Sequence, residues 1–382
     1  MATPADPATP ATPAYPPQLA RPLSLYLDCC RLLAAVLVVA SHYGPYGVIT
    51  RRADSWVPNL GREAVIVFFV LSGFVIAYTT EYKRQSLRDY AIARATRIYS
   101  VALPVLLLAF AAAALLVWSG QAPARQFYEV AKPWLYLPLH LLFMGELWTI
   151  SEPPPLLGPY WSLGYEVWYY VLFGALFYLR GARRVVVAGS VLLFVGPKLW
   201  LLLPVWTGGV WLYHWQKRHV LPRRTALLGW VATLVLLAVF KLTGSDVFLR
   251  MAARAHWPFA EVPLRSADRF LADYVVCVLV LANFWCARSA GFLGLLRFER
   301  VIRGLSSYTF TLYLVHALVM SLWLVLVRHD RNSAVDIAAL TVMIVAVTWV
   351  VGQLTERRKH WFQVGFERLA DVVRPVRAGA RF

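Results

Sequence analysis

Continuous apolar runs of about 20 residues recur along this chain, each long enough to cross a hydrocarbon core ~30 Å thick as one helix. Backbone polar groups inside such a core must be satisfied within the protein, which leaves helices and closed barrels. A barrel would show alternating strands of ~10 residues, and these runs do not alternate. Hydrophobic residues make up 59% of the 382 positions, which fits a membrane protein. The pattern predicts an all-α, polytopic membrane helical bundle of about ten transmembrane helices. They are expected near 23–43, 63–80, 98–118, 160–179, 185–201, 203–215, 225–242, 268–287, 305–327 and 334–354.

The formal net charge of +18 does not point to nucleic acid, because the cations fall in short clusters between apolar runs. That is the positive-inside pattern, and such clusters also suit anionic lipid or an anionic ligand. The densest, "EYKRQSLRDYAIARATRIY", follows the second run; "RGARR", "QKRHVLPRR", "RFERVIR" and "ERRKH" follow later ones. With ten spans every cluster falls on the cytoplasmic side, so a multi-pass protein of the inner (cytoplasmic) membrane with both termini cytoplasmic is expected. The same parity makes 133–150, which contains two prolines, a re-entrant or interfacial segment on the outer side. Residues 1–20, rich in Pro, Ala and Thr, predict a disordered cytoplasmic tail. Residues 21–356 form the transmembrane domain, and 357–382 a basic cytoplasmic tail. The four cysteines do not read as a disulfide framework. No metal-ligand spacing and no Walker-type phosphate loop occur, so no metal is expected.

Ionisable side chains inside spans are costly and usually functional. "DCCRLLAAVLVVASH" places Asp28, Arg31 and His42 on the first span. Arg31 and His42 are eleven residues apart, so they share a helix face and stand ~16 Å apart along the axis. Asp28 lies one turn from Arg31 and is placed to pair with it. The competing reading is a snorkelling Arg31 and an interfacial His42. "FFVLSGF" puts Ser72 and Gly73 mid-span, as a close helix contact would. "YWSLGYE" puts Trp161 at the start of the fourth span and Glu166 about two turns in. "SSYTFTLYLVH" places Tyr308, Tyr313 and His316 in the ninth. For Ser72, Tyr308 and Tyr313, helix packing is the competing reading, and for His316 a structural hydrogen bond.

Taken together, these stretches resemble the acyltransferase 3 family of membrane O-acyltransferases, over about residues 22 to 355. Arg31 and His42 match its basic residue, ten intervening positions, then histidine. "FFVLSGF" matches its second-span signature, "RATR" (Arg94 to Arg97) its cytoplasmic arginine pair, "WSLGYE" its tryptophan-to-glutamate stretch, and "YLVH" its late histidine. The resemblance implies transfer of an acyl group, usually acetyl, from cytoplasmic acyl-CoA to a hydroxyl of a surface or exported glycan. The partners it implies are acyl-CoA (acetyl-CoA foremost), a glycan or lipid-linked glycan acceptor, membrane lipids and glycan-assembly machinery.

The residue chemistry suits that activity. A sugar hydroxyl is a poor nucleophile and needs a base that titrates near neutrality, for which His42 is the candidate. Glu166 is a candidate to orient or stabilise that imidazole. Arg94 and Arg97, three apart on one helix face, suit phosphate; their competing reading is plain positive-inside anchoring. Arg31 is placed for the pantetheine arm, a phosphate or Asp28 alone. Ser72, Tyr308 and Tyr313 are candidate oxyanion donors, and His316 is a candidate binding residue. An outer-side arginine such as Arg62 is a candidate partner for a carboxylate-bearing acyl group. A transporter or flippase would bury similar residues, and "LLFVGPKLWLLLPVWTGG" reads as a broken helix pair of the kind it would use. A non-catalytic glycan-assembly partner would tolerate loss of His42.

Overall fold

The computed structural model describes residues 19–56, 59–122, 124–259 and 261–372. Most of the expected N-terminal tail lies outside them. Among these residues the regular secondary structure is entirely helical. In chain order the α-helices are α1 (Arg21–Tyr46), α2 (Arg51–Asp54), α3 (Gly61–Lys83), α4 (Leu87–Trp118), α5 (Pro133–Leu141), α6 (Trp161–Tyr178), α7 (Gly181–Val195) and α8 (Pro197–Arg218). They continue as α9 (Arg223–Leu242), α10 (Ser245–Ala255), α11 (Phe270–Ala290), α12 (Glu299–Ser306), α13 (Thr309–Leu326), α14 (Ala334–Leu354) and α15 (His360–Val372). A helix stands at each of the ten expected spans. Seven stretches are long and apolar enough to cross a membrane on their own, the last of them running from α14 into α15; α7 and α8 pass the same test only as a bent pair.

Helix α3 is the central element, packed against α1, α8 and α11. Its mid-span glycine does what "LSGF" suggests. A Cβ on Gly73 would fall 2.0 Å from the carbonyl oxygen of Trp206 on α8, and one on Gly209 of α8 would fall 2.0 Å from that of Val70 on α3. The two backbones therefore touch through reciprocal glycines, as small residues allow in a membrane bundle. Ile66, Val70, Phe74 and Trp206 fill the core around this contact.

Three boundaries differ from expectation. The fifth and sixth spans break at Gly196, not at 202, and turn by 120° there. Gly196 has φ +81°, which an L side chain disfavours, and Pro197 opens α8 in the first turn, where a missing N–H costs nothing. Trp148 packs into the space beside Gly196. The ninth span starts at Thr309, because the polar run Ser306–Ser307–Tyr308 separates it from α12. Beyond residue 356 the chain is not simply a tail: α15 packs along α4, with Phe366 against Tyr99 and Arg88 paired to Asp371 at 2.6 Å.

The 133–150 stretch does not span. Its nine-residue α5 is ~14 Å long, and bundle side chains cap the carbonyls at and just past its C-terminal end. Tyr160 donates to His140, Tyr99 to Leu141 and Trp168 to Phe143.

Candidate active site

A cavity of about 920 Å³ enters the bundle from the end where α3 finishes and α4 begins. Its lining on α3 extends from Lys83 up to Val65, which is ~27 Å of helix. Walls come from α1, α3, α4, α6 and α13 and from the segment around α12 and after α14. Seven cations line it (Arg31, Lys83, Arg94, Arg97, Arg303, Arg357 and Lys359) against five carboxylates (Asp28, Asp89, Glu166, Glu356 and Glu367). The excess is positive, so the cavity attracts an anion.

Asp28 is shared, 3.3 Å from Arg31 and 3.4 Å from Arg303. Among the described residues Arg31 is thus tied through one long hydrogen bond. Arg94 lies over the rings of Tyr90 and Tyr170, at 6.0 and 5.7 Å, and its buried Nε has no hydrogen-bond partner. Arg97 has Glu166, Tyr170 and Glu356 as electrostatic neighbours. Glu356 is anchored by the Thr311 hydroxyl at 2.8 Å and the Thr311 amide at 3.3 Å. The two arginines of "RATR" therefore face the cavity from one side of α4, as their spacing requires.

A polar belt crosses the cavity midway. Ser72 Oγ donates to Glu166 Oε1 at 2.7 Å, and Trp206 Nε1 donates to Ser72 Oγ at 3.2 Å. The Tyr170 hydroxyl also donates to Glu166. Glu166 is therefore held by Ser72 and Tyr170, and no hydrogen bond joins it to His42. The expected orientation of His42 by a carboxylate is replaced by a backbone contact. His42 Nδ1 lies 2.7 Å from Val38 O. A carbonyl accepts only from a protonated nitrogen, so the neutral ring keeps its proton on Nδ1 and presents a bare Nε2.

Beyond the belt the cavity ends blindly among Val65, Phe68, Phe69, Leu163, Ser162 and Tyr313. Ser162 and Tyr313 share a hydrogen bond of 2.7 Å, and Tyr313 donates to Pro159 O at 3.1 Å. One ring layer further stands His316, its centroid 6.2 Å from that of Tyr313 and 5.1 Å from that of His42. His316 is 0% exposed, its Nδ1 sits 3.0 Å from Leu312 O, and its buried Nε2 has no partner. The fold thus pairs the two histidines of separate motifs. Each neutral imidazole keeps its Nδ1 proton on a backbone carbonyl. Neither histidine lines the cavity.

The remaining candidates lie elsewhere. Tyr308 caps the mouth end of α13. It stacks beneath Arg357 at 5.6 Å and its hydroxyl accepts from that guanidinium at 3.0 Å, so it stands at the mouth just ahead of the ninth-span helix rather than buried within it. Trp161 covers Arg62 at 5.0 Å. Arg62 forms a two-point pair with Asp273, so its carboxylate partner is already within the fold. The broken pair at Gly196 borders no part of the cavity.

Sequence reasoning missed Phe68 and Ser162 at the blind end and Arg303, Glu356, Arg357 and Lys359 at the mouth. The mouth residues sat in clusters read only as orientation signals. Glu356 was the available sign, an acid placed directly after a span and beside two arginines.

No curated protein and no solved structure was found to match this chain. A family profile described as an acyltransferase domain matches residues 24–353. That range takes in α1 with its arginine and histidine, the α4 arginines, the belt glutamate and the α13 histidine. The chain belongs to the acyltransferase 3 family.

Proposed function

We propose that this membrane acyltransferase moves an acetyl group from cytoplasmic acetyl-CoA to a hydroxyl of an extracytoplasmic or exported glycan, with His42 as general base. The observation that carries this reading is a cation-rich cavity whose blind end lies one ring layer from a histidine pair. Charge-assisted contacts from Arg303, Arg357, Lys83 and Arg94 at the mouth hold the nucleotide phosphates. Arg97 and Arg31 lie deeper, along the pantetheine arm. The mouth opens to the cytoplasm of the inner membrane, and the glycan or its lipid-linked precursor approaches from the opposite side, delivered by glycan-assembly machinery.

The acceptor hydroxyl gives its proton to His42 Nε2 as its oxygen bonds to the thioester carbonyl carbon. The carbonyl oxygen takes up negative charge. Ser72 is committed to Glu166 and Tyr308 to the mouth; Tyr313, nearest the histidine pair, donates to it once its hydroxyl leaves Pro159 O. The tetrahedral centre collapses, the carbon–sulfur bond breaks, and the proton on His42 passes to the CoA sulfur. The Tyr313 ring stands between the blind end and the histidine pair in the resting state and must turn for the thioester carbonyl to meet the acceptor. Glu166 balances Arg97 at the belt rather than acting on the imidazole.

The test is proton NMR of O-acyl groups on envelope and secreted glycans, in a strain lacking the gene and restored with wild type or His42→Ala at matched expression. Wild type alone should restore an acetyl signal. Equal restoration by His42→Ala refutes the base assignment.

A further inference from the structure

The blind end of the cavity has a composition unlike the rest, and of its residues only Tyr313 is a candidate from the sequence. Between the mouth and the belt the walls are charged. Past Ser72 and Glu166 they are Val65, Phe68, Phe69 and Leu163, with the hydroxyls of Ser162 and Tyr313 already bonded to each other. From Ser72 to Val65 is ~10 Å of helix. No cation lines this chamber, and Arg62, the arginine that approaches from the far side, is closed off by Asp273 and Trp161. Phe68 is half-buried and stands edge-on against Tyr313 at 5.7 Å, so its ring narrows the chamber on the Tyr313 side.

We infer that this chamber selects a short, uncharged acyl group, and that Phe68 sets the upper limit of its length. The inference rests on the acyl-CoA reading above and names the acyl class for it. A carboxylate-bearing acyl group such as succinyl would bring a second negative charge past Glu166 into a site with no counter-ion, where an unpaired charge is strongly disfavoured. A longer alkyl chain would meet the Phe68 ring. Replacing that ring with a smaller side chain opens room toward Tyr313 without touching the cations that hold the nucleotide.

The experiment is competition binding on the full chain in lipid nanodiscs, with radiolabelled CoA displaced by acetyl-, propionyl-, butyryl- and succinyl-CoA. It needs no acceptor. Wild type should bind acetyl-CoA best, with butyryl- and succinyl-CoA each weaker by about tenfold or more, the discrimination that one or two methylenes in a fitted pocket give. Phe68→Ala should bring butyryl-CoA to within about twofold of acetyl-CoA and leave succinyl-CoA excluded. Phe68→Leu, a milder change, should shift the ratio partway and serves if the alanine variant fails to fold. CoA bound but every acyl-CoA equivalent, or a butyryl ratio unchanged in both variants, overturns the chamber assignment alone. Tight succinyl-CoA binding overturns its exclusion of charge. Failure of CoA itself to bind overturns the acyl-CoA reading and this inference with it.

Discussion

Gly73→Ala perturbs the contact on which the cavity wall depends. The new Cβ would sit 2.0 Å from the Trp206 carbonyl oxygen, and ordinary contact begins near 3.4 Å. Helices α3 and α8 must therefore part locally by about 1.4 Å, the difference of those two distances. The neighbouring residue on α3 is Ser72, which accepts from the indole of Trp206 at 3.2 Å. A separation of that size takes the bond out of range. Overpacking of this kind costs ~1–3 kcal/mol and the lost hydrogen bond ~0.5–1.5, so a loss of about 2–4 kcal/mol is expected. Because Ser72 also fixes Glu166, CoA affinity should fall as well. The assay is unfolding in detergent alongside CoA binding, with Gly189→Ala as control. A Cβ on Gly189 meets nothing within 4 Å; in that helix interior alanine should be neutral or stabilising by up to ~1 kcal/mol. If Gly73→Ala unfolds and binds CoA like wild type, the reciprocal-glycine contact does not organise this wall.

Other outcomes follow from single contacts. Lys198 is 0% exposed and pairs with Glu146 at 3.4 Å; Lys198→Met should destabilise by ~3–5 kcal/mol by stranding that carboxylate, and Glu146→Gln in the same chain should recover much of the loss in thermal unfolding. Arg62→Met should destabilise similarly by leaving Asp273 unpaired, yet leave the order of acyl-CoA affinities unchanged. His140 is buried in the last turn of α5, and desolvation pushes its pKa down to about 4. The unfolded imidazole titrates near ~6.5, so the unfolded state holds the extra proton between those values and stability falls as pH drops from about 6.5 to about 4. The pH dependence of unfolding should be shallower in His140→Phe over that window. Arg94→Met with Arg97→Met should weaken CoA binding by ~3 kcal/mol or more, as charge-assisted contacts of 1.5–3 kcal/mol each are lost, and binding unchanged within twofold would return both residues to an anchoring role.

Helix positions were legible because apolar length is a strong local signal, and only the ends moved. The stretch "LLFVGPKLWLLLPVWTGG" reads as a broken pair, but it holds two prolines, and only the helix-opening Pro197 after Gly196 marks the break, while Pro204 sits inside α8. Individual site residues were legible too, since charge in a span stands out against its surroundings. Their pairing was not. His42 and His316 are 274 positions apart in sequence, and the face each helix presents depends on packing that periodicity alone does not fix. Glu166 illustrates the same limit. Its depth was readable from α6, but whether it met His42 or Ser72 depended on the glycine contact that brings α3 against α8. The mouth cations were hidden for a different reason. An arginine that orients a helix and one that binds a ligand look alike in a cluster, and they separate only when a cavity is seen between them.

The cavity is finished by residues that follow the last apolar helix. Glu356, Arg357, Lys359, Gln363 and Glu367 all line it, and α15 closes its flank along α4. Chains emerge from the ribosome in order, at ~5–20 residues per second. While α14 is still being inserted, the histidines, the belt and the α4 arginines are already in the bilayer beside an open groove. A growing polypeptide therefore carries these site residues before it carries a closed pocket, and on the proposed reading a donor is retained only once α15 has followed α14.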